Sequence, residues 1–461
     1  MRVMRTGRLL VSLVAVLVAV AACSSGSEAP DQVSGAWHGV IEVPGQPLAV
    51  GIDVTGPDSA TIDIPAQGID GLALRDVRTA PGDVGFVLPG IPGEPTFKGA
   101  LDREKDRITG DFTQFGQSVP LTLEPGELAP PNRPQEPKPP LPYRAEEVTF
   151  RSGEITVAGT LTRPEGTGPF PAVVLITGSG AQNRDEEIAG HKPFLLLADT
   201  LTRAGYAVLR TDDRGVGGTG GDLETSNYDD LADDAAAGIA YLRGRPDIAP
   251  DRIGLLGHSE GGYLAPLVAA RPDSGVAFAI LMAGPAVPGG DALIEQTRAI
   301  LAASGVPAEE IDKQVSDTTE MVGLLRAGDI EGARAVFQRR MAQLPPEMRE
   351  SMTEADNPIT PYYAAFVAYD PAPALAALRV PVFAFFGEKD LQVLPGQNEG
   401  PARQLLAAGP DATVRVFPGL NHLMQPTATG AIDEYSTIET TIAPEVLTAV
   451  TEWLTDRVPP R

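Results

Sequence analysis

Hydrophobic and polar positions follow two regimes along the chain, and the change between them lies near residue 144. From about 35 to 125, short runs alternate with a period of two. They include Trp37-His38-Gly39-Val40-Ile41-Glu42, Leu48-Ala49-Val50-Gly51-Ile52-Asp53-Val54 and Ala60-Thr61-Ile62-Asp63-Ile64, then Val84–Leu88, Arg107–Phe112 and Val119–Leu123. Gly, Pro and Asp turns separate them at roughly 8–12 residues, which predicts an all-β sandwich or small barrel. No cluster of chemistry-bearing side chains falls in this module. Pro125, Pro130, Pro131, Pro134, Pro137, Pro139, Pro140 and Pro142 follow, and predict an extended, stiff linker over 126–143.

From 144 to 461 strands and helices alternate, the pattern of a mostly parallel sheet with crossover helices. Glu147–Arg151 and Ile155–Arg163 predict an antiparallel start. Buried-strand runs then recur at Ala172–Ile176, Ala207–Leu209, Ile253–Leu256, Phe278–Met282, Val382–Phe386 and Thr413–Phe417, with helical stretches such as Pro193–Arg203 and Tyr228–Arg243 between them. The interval from about 284 to 380 is too long for a loop and reads as a helical cap inserted after the sixth strand. Its amphipathic pieces lie around Ala292–Ser304, Ala308–Ala327 and Glu331–Gln343. Leu293, Ile300, Leu301, Met321, Leu324, Leu325, Phe337 and Met341 are expected to supply apolar faces that roof a pocket.

The N-terminus has basic Arg2, Arg5 and Arg8, then an almost wholly apolar run from Leu9 to Ala22. That run has the length of an export signal, since a spanning helix needs about 20 residues. It ends Val20-Ala21-Ala22-Cys23-Ser24-Ser25-Gly26-Ser27, with the chain's one cysteine directly after small residues. The arrangement resembles the lipobox of bacterial lipoproteins. That resemblance implies removal of residues 1–22, diacylglycerol on the Cys23 thiol and a membrane anchor, with 23–34 as a flexible tether.

Composition narrows the field. The 461 residues are 43% hydrophobic and 21% charged, so the chain can bury a large core. A net charge of −25 repels phosphate backbones and argues against nucleic acid as a partner. One cysteine excludes an intramolecular disulfide and a thiolate metal cluster. The four histidines, His38, His191, His258 and His422, form no zinc-spaced motif, so no metal or cofactor is expected.

The chemistry-bearing pattern is Gly257-His258-Ser259-Glu260-Gly261-Gly262, placed after a predicted strand and before a small-residue helix. Such a turn needs small neighbours and projects the Ser259 hydroxyl above the sheet. A serine nucleophile needs a base, and the base needs an orienting carboxylate. In this setting the chain order is Ser, acid, His. Asp390 follows the strand Val382–Phe386, and His422 follows Thr413–Phe417, so both leave the sheet edge where ligands bind. Glu388 is the alternative acid. Asp212 and Asp213 read as structural, and His258 and His191 as packing or hydrogen-bonding residues. The tetrahedral intermediate needs two backbone donors, expected from the N–H groups of Glu260 and of Ser179 in Thr177-Gly178-Ser179-Gly180.

With these residues, 144 to 458 resembles an α/β-hydrolase. Ile176-Thr177-Gly178-Ser179-Gly180 with Asn183-Arg184-Asp185, Thr211-Asp212-Asp213-Arg214-Gly215-Val216-Gly217, Tyr369-Asp370-Pro371 and Gly387-Glu388-Lys389-Asp390 are similar to a bacterial branch of secreted esterases. Those proteins are often called serine aminopeptidase-like (S33-type) or dipeptidyl-aminopeptidase-like hydrolases, and members carry a β-rich module before the hydrolase. The resemblance implies an eight-stranded, mostly parallel sheet and hydrolysis of short-chain carboxylic esters. The expected function is therefore a membrane-anchored, extracytoplasmic serine carboxylesterase acting on a small-molecule ester. The rival readings are a serine aminopeptidase or acyl-peptide hydrolase, and a non-catalytic envelope binding protein that keeps a hydrolase shell.

Overall fold

The computed structural model describes residues 33–43, 48–67, 69–91, 93–129, 132–343 and 359–460. The leader, Cys23 and the tether up to residue 32 lie outside the described residues, as does the stretch 344–358 of the expected cap.

The first unit is one nine-stranded antiparallel sheet. Its strands are β1 (Gly35–Ile41), β2 (Leu48–Gly56), β3 (Ser59–Ile64), β4 (Ile69–Ala73), β5 (Arg75–Ala80), β6 (Asp83–Val87), β7 (Thr96–Asp102), β8 (Arg107–Gln114) and β9 (Gln117–Pro125), in the spatial order β4-β3-β2-β1-β9-β8-β7-β6-β5. Alternation does its expected work. In β3 every second residue, Ala60, Ile62 and Ile64, is buried, and these join Trp37, Val50, Phe86, Phe97 and Leu121 in one core. The two edge strands, β4 and β5, are consecutive in sequence and separated only by Leu74, whose N–H bonds Ala60 O at 2.9 Å. One bent segment thus supplies both edges, so the sheet curls round onto itself like a barrel. The tether stops short of its expected end. Val33 is buried and its N–H bonds Thr79 O at 2.7 Å.

The prolines that follow are not a free spacer. Arg133 is buried, and its guanidinium donates to the carbonyls of Ala189, Gly190, Ser436 and Ile438 at 2.9–3.2 Å. Gln135 reinforces it, donating to Ile442 O at 2.8 Å and accepting from Thr441 N–H at 2.7 Å. The segment is clamped to the second unit.

The second sheet has eight strands: β10 (Tyr143–Ser152), β11 (Ile155–Pro164), β12 (Phe170–Ile176), β13 (Ala207–Thr211), β14 (Ile248–His258), β15 (Ala279–Met282), β16 (Val382–Gly387) and β17 (Ala412–Phe417). Their order is β10-β11-β13-β12-β14-β15-β16-β17, with β10 and β11 antiparallel and β12 to β17 parallel. This is the eight-stranded, mostly parallel sheet that the resemblance implied. Parallel strands covered on both faces read as continuous apolar runs, and all six residues of β16 are buried. On one face Val174, Leu255 and Ala384 pack with α2 (Tyr228–Arg243), α3 (Gly261–Ala269) and α9 (Pro395–Leu406). On the other, Val173, Leu256, Phe383 and Phe385 pack with α1 (Pro193–Arg203) and α10 (Pro444–Arg457).

The cap contains α4 (Gly289–Ala303), α5 (Ala308–Arg326), α6 (Ile330–Met341), α7 (Pro361–Ala368) and α8 (Ala372–Ala377). Its apolar faces close a small core of their own. Met321, Val322, Leu325, Ala333, Val336, Ile359 and Val367 are buried together, with Leu293, Leu324 and Phe337 packed against them. Leu293, Met321, Leu324, Leu325 and Phe337, expected to line a roof, thus hold the cap together, and a different residue, Tyr362 at the start of α7, reaches the turns at the end of the sheet.

Candidate active site

Ser259 lies between the end of β14 and the start of α3 with φ of +52°. Positive φ is uncommon and costly for a side chain of this kind, and such strain persists only where the surroundings impose it. The surroundings here are glycines. A Cβ on Gly257 would stand 2.0 Å from Gly261 O, one on Gly261 would stand 2.2 Å from Ile176 O, and one on Gly262 would stand 2.4 Å from Gly284 Cα. The strand-to-helix turn is therefore possible only with bare backbone at those three positions. Ser259 N–H donates to Met282 O at 2.9 Å, tying the turn to the neighbouring strand.

Asp390 and His422 come together at the C-terminal ends of β16 and β17. His422 Nδ1 and Asp390 Oδ2 are 2.8 Å apart, and both residues are buried. The other carboxylate oxygen, Oδ1, accepts the N–H groups of Gln392 and Val393, each at 2.8 Å, so the acid is held in one orientation. Glu388 does something else: it is exposed and accepts Gly419 N–H at 2.8 Å. The Ser259 hydroxyl makes no hydrogen bond among the described residues. Catalytic hydrogen bonds are often long without substrate and tighten when it binds.

Three N–H groups leave the turn after β12, and two are already taken. Gly178 N–H donates to Glu186 Oε1 at 2.7 Å, and Gly180 N–H donates to the Tyr362 hydroxyl at 2.9 Å. Ser179 N–H and Glu260 N–H have no acceptor among the described residues. A Cβ on Gly178 would lie 3.3 Å from Ser259 Cβ, so this turn stands directly beside the serine.

A second imidazole–carboxylate pair supports the first. His258 Nδ1 and Glu186 Oε1 are 2.9 Å apart, and His258 Nε2 is 3.2 Å from the backbone oxygen of His422. Neither side chain reaches solvent. Burial works against charge on His258, but the Glu186 carboxylate outweighs it, and the imidazole pKa lies above its ordinary value. His191 has no such role. It bonds Thr441 Oγ1 and Tyr435 O at 2.9 Å each, and burial pushes its pKa down to about 4.

Glu260 is a further buried acid. Burial pushes its pKa up to about 7, against the pull of the Tyr362 and Tyr228 hydroxyls. Asp213 is pushed to about the same value by burial, although Thr177 Oγ1 at 2.7 Å and Gln182 N–H at 2.9 Å donate to it. Asp212 takes Arg184 through Nε at 3.0 Å and Nη2 at 2.6 Å, and Asp185 pairs with Arg210. These pairs brace the turn after β12.

The raised Glu260 pKa has a consequence for stability. Between the ordinary carboxylate range and about pH 7 the folded protein holds a proton that the unfolded chain has released. The contribution of this group is therefore present below about pH 4.5 and is lost as pH rises through about 7. Glu260→Gln carries no such penalty. Its melting temperature relative to wild type should climb by roughly 2–6 °C between pH 5 and pH 8. Calorimetry showing the same difference at both pH values would contradict this account.

Glu186 and Tyr362 were not singled out by sequence. Glu186 directly follows Asn183-Arg184-Asp185, where position was the available signal. Tyr362 sits in a cap whose periodicity reports packing and nothing of chemistry.

A family model described as X-Pro dipeptidyl-peptidase (S15 family) matches residues 153–399. The chain is similar to esterase EstD of Thermotoga maritima, with 29% identity over 289 residues, covering 62% of each protein. It thus spans less than two thirds of that esterase's length. It is also similar to a non-heme haloperoxidase of Rhodococcus erythropolis, with 30% identity over 49% of this chain and 78% of that one. Among solved structures, an esterase of Pyrococcus furiosus covers 68% of this chain and 91% of its own, with 16% identity and a TM-score of 0.44.

Proposed function

The chain belongs to the X-Pro dipeptidyl-peptidase (S15) family, which makes it a serine-type α/β-hydrolase, and from that premise we propose that it is a carboxylesterase for short-chain acyl esters. The observation that carries the reading is one juxtaposition. A strained, partly exposed Ser259 stands beside two N–H groups that have no acceptor among the described residues, at the same sheet edge as a buried, oriented His422–Asp390 pair.

In this reading Ser259 Oγ attacks the ester carbonyl while His422 Nε2 takes its proton and returns it to the leaving alcohol. Asp390 accepts from Nδ1–H, fixing the tautomer and stabilising the imidazolium. The carbonyl oxygen becomes an oxyanion held by Ser179 and Glu260 N–H, donors that need no reorganisation because nothing else occupies them. Water, deprotonated by His422, then attacks the acyl-enzyme. The same two N–H groups stabilise the second tetrahedral intermediate as Ser259 leaves and recovers its proton.

The family name favours a second reading, release of X-Pro dipeptides. That reaction needs a fixed anion for the substrate's α-ammonium. The carboxylates around Ser259 each hold protein partners, Glu186 with His258 and Gly178, Glu260 with Tyr362, Asp213 with Thr177 and Gln182, and the two oxygens left over, Glu186 Oε2 and Glu260 Oε1, are buried away from a substrate's reach. This favours esters.

A panel of acetyl to palmitoyl p-nitrophenyl esters beside X-Pro anilides separates the two readings. Each methylene that fits contributes about 0.8 kcal/mol, roughly fourfold, so preference below the size limit is gentle. We expect kcat/KM to peak between acetyl and hexanoyl and to fall steeply beyond octanoyl. Faster turnover of palmitoyl esters or X-Pro anilides than of butyryl esters would overturn the assignment.

We further propose that Cys23 carries the lipid that holds this activity outside the cytoplasmic membrane. Wild type should partition into the detergent phase and Cys23→Ser into the aqueous phase. An unmodified Cys23 thiol on the mature exported protein, read by mass spectrometry, would refute the anchor.

A further inference from the structure

Among the described residues of the cap, Tyr362 is hydrogen-bonded to the turns beside Ser259. Tyr362, the second residue of α7, is buried, and its hydroxyl stands between two peptide segments. It accepts Gly180 N–H at 2.9 Å and donates to Glu260 Oε2. Gly180 is the residue after Ser179, and Glu260 is the residue after Ser259. The hydroxyl therefore links, through two bonds, the two segments that carry the acceptor-free N–H groups.

The chain of bonds has a direction. Gly180 N–H donates to Tyr362 O, and Tyr362 O–H donates to the Glu260 carboxylate, so each bond polarises the next. Among the described residues Glu260 Oε1 makes no hydrogen bond, nor does the Tyr228 hydroxyl near it, so the bond from Tyr362 is the carboxylate's tie to the cap. Thr177, Gly178, Gly180, Asp213, Glu260 and Tyr362 also line one cavity, so without the strut the turn has space to relax into. Gly180 itself has a φ of +89°, and a Cβ placed on it would meet nothing within 4 Å, so packing does not hold it there.

We propose that Tyr362 is a positioning residue that makes the cap part of the oxyanion site: its hydroxyl sets the spacing of the Ser179 and Glu260 N–H groups. This deepens the esterase reading and rests on it for the identity of those two donors. Because the contact acts on a charge that exists only in the tetrahedral state, its loss should fall on kcat and spare KM. A displacement of about 1 Å in such a site costs up to 10²-fold, so the effect should be large enough to measure.

The test is Tyr362→Phe, which keeps the ring and deletes the hydroxyl. We expect kcat for p-nitrophenyl butyrate to fall about 10–100-fold with KM changed less than threefold. The inhibition constant of a trifluoromethyl ketone, whose adduct with Ser259 places an oxyanion in the site, should rise by the same factor. A kcat and an inhibition constant both within threefold of wild type would overturn the proposal. So would a loss expressed wholly in KM, which is what a disordered cap would give. Should Tyr362→Phe fail to fold, the contact can be broken from the other side. Glu260→Gln keeps an oxygen to accept from Tyr362, whereas Glu260→Met does not, so inhibitor affinity should fall at least fivefold further in the methionine variant. Equal affinities in the two would overturn the proposal. Labelling of Ser259 by a fluorophosphonate keeps this result apart from the substrate assignment. A wild type that is labelled but turns over no ester defeats the esterase reading, and the labelling rates of the same variants still decide the role of Tyr362.

Discussion

Ser259→Ala and His422→Ala should each lower ester kcat by about 10⁴–10⁶-fold, and Ser259→Ala should leave the melting temperature within a few degrees of wild type. The magnitude follows from removing the nucleophile or its base from a unit in which each member depends on the others. The double variant should be no worse than either single one, because the residual rate comes from the donors and from substrate binding. Asp390→Asn should cost less, about 10³–10⁴-fold, since Gln392 and Val393 N–H still hold the side chain but His422 is left without its anionic partner. Steady-state rates on p-nitrophenyl butyrate, with a fluorophosphonate titration to count competent sites, measure all three. Ordinary turnover by Ser259→Ala would remove the basis for every role assigned around it.

The largest effect on stability is expected at the second imidazole–carboxylate pair. Removing one partner of a buried pair leaves the other as an uncompensated polar group or charge, at a cost of about 3–5 kcal/mol. His258→Ala strands the Glu186 carboxylate, whose Oε2 already lacks a partner. Glu186→Ala also strands Gly178 N–H beside the serine. Urea unfolding of both variants should show losses of that order. The double variant Glu186→Leu/His258→Leu should lose less than the sum of the single losses, because neither ionisable partner is left behind without the other. Losses below about 1 kcal/mol in both single variants would mean that the pair is incidental to the fold.

Much of this site was legible in the chain because a sharp turn leaves few choices of residue. Gly257, Gly261 and Gly262 are each required by a backbone atom that a Cβ would strike, and that requirement is written as a short pattern around Ser259. Strand order then placed Asp390 and His422 at the same edge. The first sheet was legible in six of its nine strands. β4, β5 and β7 escape the pattern because Ile69–Ala73, Arg75–Ala80 and Thr96–Asp102 carry polar residues and glycines where a strand signal needs apolar alternation; their pairing comes from neighbours across the sheet. The cap's apolar periodicity was visible, but a periodic stripe does not say what it faces. Leu325 and Phe337 face the cap's own core. Glu186 and Tyr362 were hidden for a related reason. Each acts through partners far away in sequence, 72 residues for Glu186 and His258 and 102 for Tyr362 and Glu260.

The Arg133 clamp sets an order of events in time. The barrel strands pair only among themselves, so that unit has all its partners once residue 125 has been made. Arg133 leaves synthesis next, yet its acceptor Ile438 O is 305 residues further on. At about 5–20 residues per second, the ribosome needs roughly 15–60 s to produce that acceptor. For most of that interval Arg133 has the carbonyls of Ala189 and Gly190 but not those of Ser436 and Ile438, so the proline-rich segment behind a folded N-terminal barrel is at most half clamped. The segment seals only when the last tenth of the chain arrives, so a truncation after about residue 430 should leave it open to proteases that spare the full-length protein.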